Sequence, residues 1–222
     1  MGYDQAGARN NVMHLPLFFK LDQLPCLMIG GGKVAARKVD VLLATSCALT
    51  VIAPAVDDRI REAVHNGRIR WRPRTYEQGD CKGYRLVIAA TPYEEVNRAI
   101  SSEAQELGIP VNVVDAPDLC TVIFGAVWKE GPLTVCVGTG GAAPFMAGPI
   151  RDRVAAAAEG MGIWVETAAR FRTAVRKAVP DSAQREHLYH RFALHAQTGT
   201  PRNPPESDIL ADWLDWLERT GP

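Results

Sequence analysis

What this chain lacks narrows its class before any motif is read. It has no run of the roughly 18 apolar residues that a membrane-crossing helix needs, and its opening stretch, MGYDQAGARNN, has no hydrophobic signal core. That stretch is expected to be a disordered lead-in. Net charge is also missing, with 25 Lys and Arg against 25 Asp and Glu, which argues against a nucleic-acid binder. The five cysteines (Cys26, Cys47, Cys81, Cys120, Cys136) are odd in number and form no C-x-x-C pair. They read as buried, reduced thiols of a cytoplasmic protein. No G-x-S-x-G elbow, Walker-type loop, Ser/His/Asp pattern or internal repeat stands out. His14 and His65 are isolated. His187 and His190 stand at i and i+3 beside Glu186 but lack an evident third ligand, so no metal site is assigned.

What is present points to a nucleotide. At 222 residues and 47% hydrophobic content, the chain can hold one ordinary domain and a smaller one. Residues 25–38, PCLMIGGGKVAARK, run from four apolar residues through three glycines into a helix-forming segment. Gly30, Gly32 and Ala35 fall at the G-x-G-x-x-G/A spacing of a dinucleotide fingerprint, with Gly31 between them. There the first glycine permits a tight turn, the second lets backbone approach a pyrophosphate, and the small third residue packs helix on strand. The N–H groups at the start of the following helix make an anion site.

Further apolar runs repeat the theme. ALTVIA (48–53), RLVIAA (85–90) and PVNVV (110–114) read as strands buried on both faces, and RIRWR (68–72) as an edge strand. Helices are expected over 57–66, closed by Gly67, and from Thr91-Pro92 through Leu107, with Val96, Ile100, Ala104 and Leu107 as its apolar stripe. The order predicts an α/β fold, a Rossmann-type doubly wound parallel sheet. The acid that usually ends the second strand and bonds a ribose is absent, because Ile52, Ala53 and Pro54 stand there and the first acid is Asp57. Residue chemistry therefore does not choose between NAD and NADP.

The pattern changes after residue 120. TVIFGAV (121–127) and LTVCV (133–137) predict a hairpin joined by five residues containing Gly-Pro. A second glycine loop covers 138–143, and Pro144 suits the first position of a helix through Ala158, apolar enough to pack closely. Another helix is expected over 163–179. Residues 151–195 carry eight Arg or Lys against five acids, and the tail from 196 answers with two against five. Such a charge excess is either a solvated face or a landing surface for a polyanion. Residues 197–205 form a Pro-rich linker, and a final helix capped by Ser207 or Asp208 should dock its Ile209, Leu210, Trp213, Leu214, Trp216 and Leu217 stripe on this chain or a partner subunit. The expected divisions are a nucleotide domain over 1–120, a dimerisation region over 121–158 and a helical domain over 159–222.

Ligands of open α/β sheets bind beyond the carboxyl ends of the strands. Those ends are residues 30–33, 53–55, 90–91 (with Thr91) and 114–115. Asp115 is the acid directly after a buried strand, and it serves either as a turn residue or as a proton acceptor beside a bound nicotinamide.

Taken together, LPLFFKL, CLMIGGGKVAARKVDVLL, LVIAATPYEEVN, VNVVDAPDLCTVIF and GPLTVCVGTGGAAPFMAGPIRDRV resemble the precorrin-2 dehydrogenase family, the stand-alone form of the N-terminal module of siroheme synthase. The resemblance runs in register over residues 15–154. It implies NAD-dependent oxidation of precorrin-2 to sirohydrochlorin, with Fe²⁺ (or Co²⁺) insertion as a second activity in some members, and a homodimer. It also implies NAD contacts at Lys33, Val34, Pro54 and Ala55, a catalytic role for Asp115, and substrate contacts at Asn112, Thr139, Gly140, Gly141 and Arg151. The methyltransferase module of the fused enzyme is expected to be absent, with precorrin-2 supplied by another protein. The alternative is a non-catalytic nucleotide-sensing or tetrapyrrole-carrying module, since fold does not fix function.

Overall fold

The apolar runs of the first half form strands because no face of them tolerates water. A computed structural model describes residues 14–196, 201 and 203–220. The lead-in expected at 1–13 and part of the linker expected at 197–205 lie outside the described residues. The strands are β1 (Pro25–Ile29), β2 (Ala48–Ile52), β3 (Arg70–Arg72), β4 (Leu86–Ala89) and β5 (Val111–Val113). They pair in the order β3-β2-β1-β4-β5, each neighbour parallel. The chain order reverses between β1 and β4, which makes that edge of the sheet the topological switch point.

Three helices cover the sheet: α1 (Lys33–Leu43), α2 (Asp58–His65) and α3 (Glu94–Glu106). Alternation along the strands sorts their side chains by face. Cys26, Met28, Leu49, Val51, Leu86 and Ile88 pack with α1 and α2, whereas Leu27, Ile29, Val87, Ala89, Val111 and Val113 pack with α3. Asp57 caps α2, accepting from the Arg59 N–H at 3.1 Å. Residues 14–20 are exposed, and the first core residue is Leu21.

Helix α3 differs from its expected stripe. Leu107 lies exposed, and the buried face instead includes Asn97, Ser101 and Glu103. Glu103 is only 4% exposed. It accepts from the Tyr76 hydroxyl and from the N–H groups of Gly79 (3.1 Å) and Cys81 (2.8 Å). A buried carboxylate is tolerated when donors surround it, and these three tie the 76–81 segment down. Burial, and then Glu103, push the Tyr76 hydroxyl up, and the same causes raise the Cys81 thiol to about 12. Of the thiols read as buried, Cys136 is exposed and Cys120 half-buried.

The chain divides into two compact units between Phe124 and Gly125. The second opens with a hairpin of β6 (Ala126–Glu130) and β7 (Leu133–Val137), which are antiparallel. Its connection is two residues, not five, because Gly131 takes φ 53° and Pro132 fixes its own φ, as tight primed turns require. Residues 121–125 are accordingly not strand. Helices α4 (Pro144–Ala158), α5 (Met161–Ala178), α6 (Ser182–His195) and α7 (Leu210–Thr220) follow. Both Glu130 carboxylate oxygens accept from the start of α5, from the Gly160 N–H at 2.9 Å and the Gly162 N–H at 2.7 Å, and these bonds hold the carboxyl below its usual range.

The core of this unit is aromatic. Phe171 stacks on Phe192 with centroids 4.7 Å apart, and Trp164, Trp213 and Trp216 close around them. The α7 stripe docks within this same unit, with Trp213, Trp216 and Leu217 buried and the Trp213 indole N–H donating to the Ser207 carbonyl at 2.9 Å. Helix α4, expected to pack closely, buries only Ala155 and leaves Phe145, Met146, Ile150 and Val154 exposed.

Candidate active site

The three glycines after β1 have different reasons to be glycine. Gly30 adopts φ 115°, and a Cβ there would stand 2.2 Å from the Ala90 carbonyl oxygen. A Cβ on Gly31 would stand 2.1 Å from the Ala55 carbonyl oxygen. These two let the loops after β4 and β2 close over the end of β1. Gly32 is different. Its φ of −77° suits any residue, and a Cβ there would meet nothing within 4 Å. The protein does not require glycine at that point, whereas a pyrophosphate approaching the backbone would. Helix α1 begins at this residue with no side-chain cap and no acid in its first turn, so its N–H groups suit an anion. Lys33 and Val34 are exposed beside them. The chain's residues thus fit a dinucleotide.

The neighbouring loops are fixed by bonds the sequence did not announce. The Gly31 carbonyl accepts from the Asp57 N–H at 2.7 Å, which holds Pro54 and Ala55, both exposed, over the glycine loop. Asp57 itself is engaged as the α2 cap and by the Arg59 guanidinium, so the first acid after β2 is occupied. The Arg59 N–H, then its guanidinium, and Lys33 more weakly, hold that carboxyl below its usual range. After β4, the buried Asn97 clasps the turn. Its Oδ1 accepts from the Thr91 hydroxyl at 2.8 Å, and its Nδ2 donates to the Thr91 carbonyl at 3.0 Å. Thr91 is therefore positioned but internally bonded.

Asp115 follows β5 exposed, with φ 58°. The left-handed region is uncommon for a side-chain-bearing residue, though Asp and Asn enter it most readily. The Cys120 thiol holds the turn from both sides. It lies 3.2 Å from the Val113 carbonyl and 3.3 Å from that of Ala116, and it accepts from the Val113 N–H at 3.1 Å. Thr121 completes the edge of β5, its hydroxyl accepting from the Val111 N–H at 2.8 Å. Asn112 is buried in β5 and donates to the Val122 carbonyl at 3.0 Å, which ties the strand to the segment that runs beside it. Lys38, on α1, places its ammonium over the Phe124 ring in the neighbourhood of Asp115 and Cys120. Asn97, Cys120 and Lys38 are the contributors the sequence reading missed. A lone Asn, Cys or Lys carries no spacing signal.

The remaining candidates lie in the second unit. Thr139 is half-buried, and Gly140 (φ 61°) and Gly141 (φ 82°) are exposed in the loop between β7 and α4. Arg151, on α4, pairs with Asp152 at 2.6 Å. Tail acids meet part of the basic excess, Asp208 with Lys177 at 2.7 Å and Glu218 with Arg191 at 3.7 Å. His187 and His190 are exposed on α6. Among the described residues no group of three His, Cys, Asp or Glu is placed to hold a metal ion.

Comparison with known proteins agrees with this geometry. Residues 17–126 match a family described as "Putative NAD(P)-binding". Over 179 residues, 80% of this chain and 38% of the relative, the chain is 44% identical to a siroheme synthase of Methylococcus capsulatus. Over 173 residues it is 42% identical to a siroheme synthase of Azotobacter vinelandii, covering 78% of this chain and 37% of that one. The chain is thus similar to siroheme synthases over about four fifths of its own length. It spans about two fifths of the length of these curated relatives. A solved structure titled SirC, precorrin-2 dehydrogenase, shares the fold with a TM-score of 0.70 over 93% of this chain and 98% of that one, at 18% identity.

Proposed function

We propose that the chain is an NAD⁺-dependent precorrin-2 dehydrogenase that forms sirohydrochlorin in siroheme biosynthesis. Kinship supports this, and one observation within the chain carries it. The acid that follows the last buried strand, at the end of the sheet where the glycine loop opens, is held by Cys120 in a left-handed turn. Gly30, Gly31 and Gly32 with the start of α1 would hold the pyrophosphate, flanked by Lys33, Val34, Pro54, Ala55 and Thr91. NAD⁺ supplies the hydride acceptor, a role no side chain can fill. NAD rather than NADP is supported by Arg59, the first cation after β2, being paired with Asp57 and Asp40 instead of standing ready for a 2′-phosphate.

The Asp115 carboxylate then accepts the proton that the tetrapyrrole gives up as it is oxidised. Thr139, Gly140, Gly141 and Arg151 are the proposed substrate contacts, whereas Asn112, expected among them, is buried with its side-chain amide bonded to the Val122 carbonyl. The test is anaerobic incubation with precorrin-2 and NAD⁺. NADH should appear in step with sirohydrochlorin, and Fe²⁺ or Co²⁺ added afterwards reads out metal insertion. Tetrapyrrole binding without NADH would replace this reading with that of a carrier.

A homodimer through the hairpin and α4 is part of the proposal. Met146, Ile150 and Val154 recur at i, i+4 and i+8 on α4, all exposed, with Phe145 78% exposed and Val127 exposed on β6. An apolar stripe of this kind on a soluble protein marks a contact surface. Light scattering at micromolar concentration should give twice the chain mass, and a monomer would remove this part. None of the described helices is long and apolar enough to cross a membrane. A cytoplasmic location fits the unpaired cysteines.

A further inference from the structure

Lys38 is a half-buried cation whose pairing is incomplete. It lies on α1 one turn beyond the glycine loop, and its Nζ stands 4.2 Å from the centroid of the Phe124 ring. Among the described residues it makes no hydrogen bond and no ion pair. Some exposed or partly exposed cations of this unit are matched, Arg59 with Asp40, Arg74 with Asp80 and Arg98 with Glu94, whereas Lys38 is half-buried without such a match. Burial pushes the Lys38 ammonium below the ordinary lysine range, and the Cys120 thiol and the Asp115 carboxylate oppose that shift. The ammonium therefore sits in the electrostatic neighbourhood of the proposed base without closing a contact on it.

Removing a charge from water is costly unless an opposite charge or donors replace the lost hydration. The Phe124 ring face offsets part of that cost. The arrangement is completed by an anion arriving from the crevice, and the proposed substrate carries carboxylate arms around a macrocycle. Resting on the dehydrogenase reading, we propose that Lys38 binds a carboxylate arm of the tetrapyrrole and so sets the edge of the macrocycle that faces Asp115. Point charges of this type recognise single carboxylates without demanding a forked geometry. The competing account is that Lys38 merely lays its methylene stem on Phe124 and sends its head to water.

Two variants separate the accounts. Lys38→Met keeps an unbranched apolar stem that packs against a ring and removes the charge. Lys38→Arg keeps the charge. Sirohydrochlorin is titrated anaerobically into each protein and followed by quenching of tryptophan fluorescence. NAD⁺ affinity and the thermal midpoint are measured on the same preparations, and KM and kcat with precorrin-2 are taken from steady state. The expected result is a loss of about tenfold or more in tetrapyrrole affinity for Lys38→Met, the scale of one charge-assisted bond. KM should rise more than kcat falls, NAD⁺ affinity and midpoint should hold, and Lys38→Arg should retain most of the binding. Binding within about twofold of wild type in Lys38→Met overturns the assignment. Equal losses in both variants, or a parallel loss of NAD⁺ affinity, overturn it too, since the effect would then be packing. If wild type turns over while Lys38→Met is unaffected, only the Lys38 assignment falls. If wild type neither binds tetrapyrrole nor forms NADH, the dehydrogenase reading itself fails.

Discussion

The two units of this chain solve opposite problems. In the first, an aliphatic sheet core is closed off, and what faces the crevice is backbone and small residues, the Gly30–Gly32 turn, Ala55 and Thr91. In the second, a knot of aromatic rings is buried among three helices while aliphatic side chains on α4 face outward. The difference teaches where function is written. A site built from backbone demands particular residues at particular steps, whereas an aromatic core or an apolar face tolerates many sequences of similar pattern.

The contrast can be broken first at Trp213, which is fully buried against Phe171 and Trp216. Trp213→Ala should cost the helical unit about 3–5 kcal/mol, read by denaturant unfolding followed through helical signal. NAD⁺ affinity should persist, and its loss in step would mean that the units do not divide the labour as described.

A smaller effect is expected at the glycine loop. Gly31→Ala forces a Cβ to within 2.1 Å of a backbone oxygen, so the loop must shift at a cost of about 1–3 kcal/mol, and both midpoint and NAD⁺ affinity should fall. A Cβ at Gly32 meets nothing within 4 Å, so Gly32→Val is not forced against backbone there. It should leave the midpoint nearly unchanged while NAD⁺ binding weakens strongly. Unchanged NAD⁺ affinity in a folded Gly32→Val protein would remove the pyrophosphate from this loop.

The smallest effect concerns pH. His195 is buried at the end of α6, its Nε2 3.1 Å from the Thr220 hydroxyl, and burial lowers its pKa below the ordinary histidine value. The unfolded chain therefore takes up the proton first as pH falls. The contribution of a neutral His195 is fully present above the unfolded value of about 6.5 and declines as pH drops from there towards the lower folded value. Unfolding midpoints across that window should fall in wild type and flatten in His195→Gln. An unchanged slope would assign the titration elsewhere.

Much of the first unit was legible because its signals are local. Apolar runs bounded by Gly and Pro gave strands within a residue or two, and the glycine spacing located the loop. What escaped were contacts that connect distant positions. Glu103 takes a buried place on α3 only because Tyr76, Gly79 and Cys81 present donors to it. Cys120, read only as a buried, reduced thiol, grips the Asp115 turn. In the second unit the hairpin shifted because Gly131 and Pro132 suffice for the turn, releasing residues 128–130 to β6. Helix α4 was apolar by composition, yet composition does not say whether an apolar face is buried in its own chain or left for another.

In the proposed mechanism backbone holds the cofactor while Asp115 moves the proton. Asp115→Asn tests it most directly, because Asn also enters the left-handed region, whereas Ala at φ 58° would add backbone strain of about 1–2 kcal/mol. Wild type and Asp115→Asn, each saturated with NAD⁺, are mixed anaerobically with precorrin-2 and NADH formation is followed in a single turnover. A loss of about 10²–10⁴-fold in rate is expected, the contribution of a positioned general base, with NAD⁺ affinity and thermal midpoint unchanged. A near-native rate in Asp115→Asn would contradict the account and leave the residue as a turn former alone.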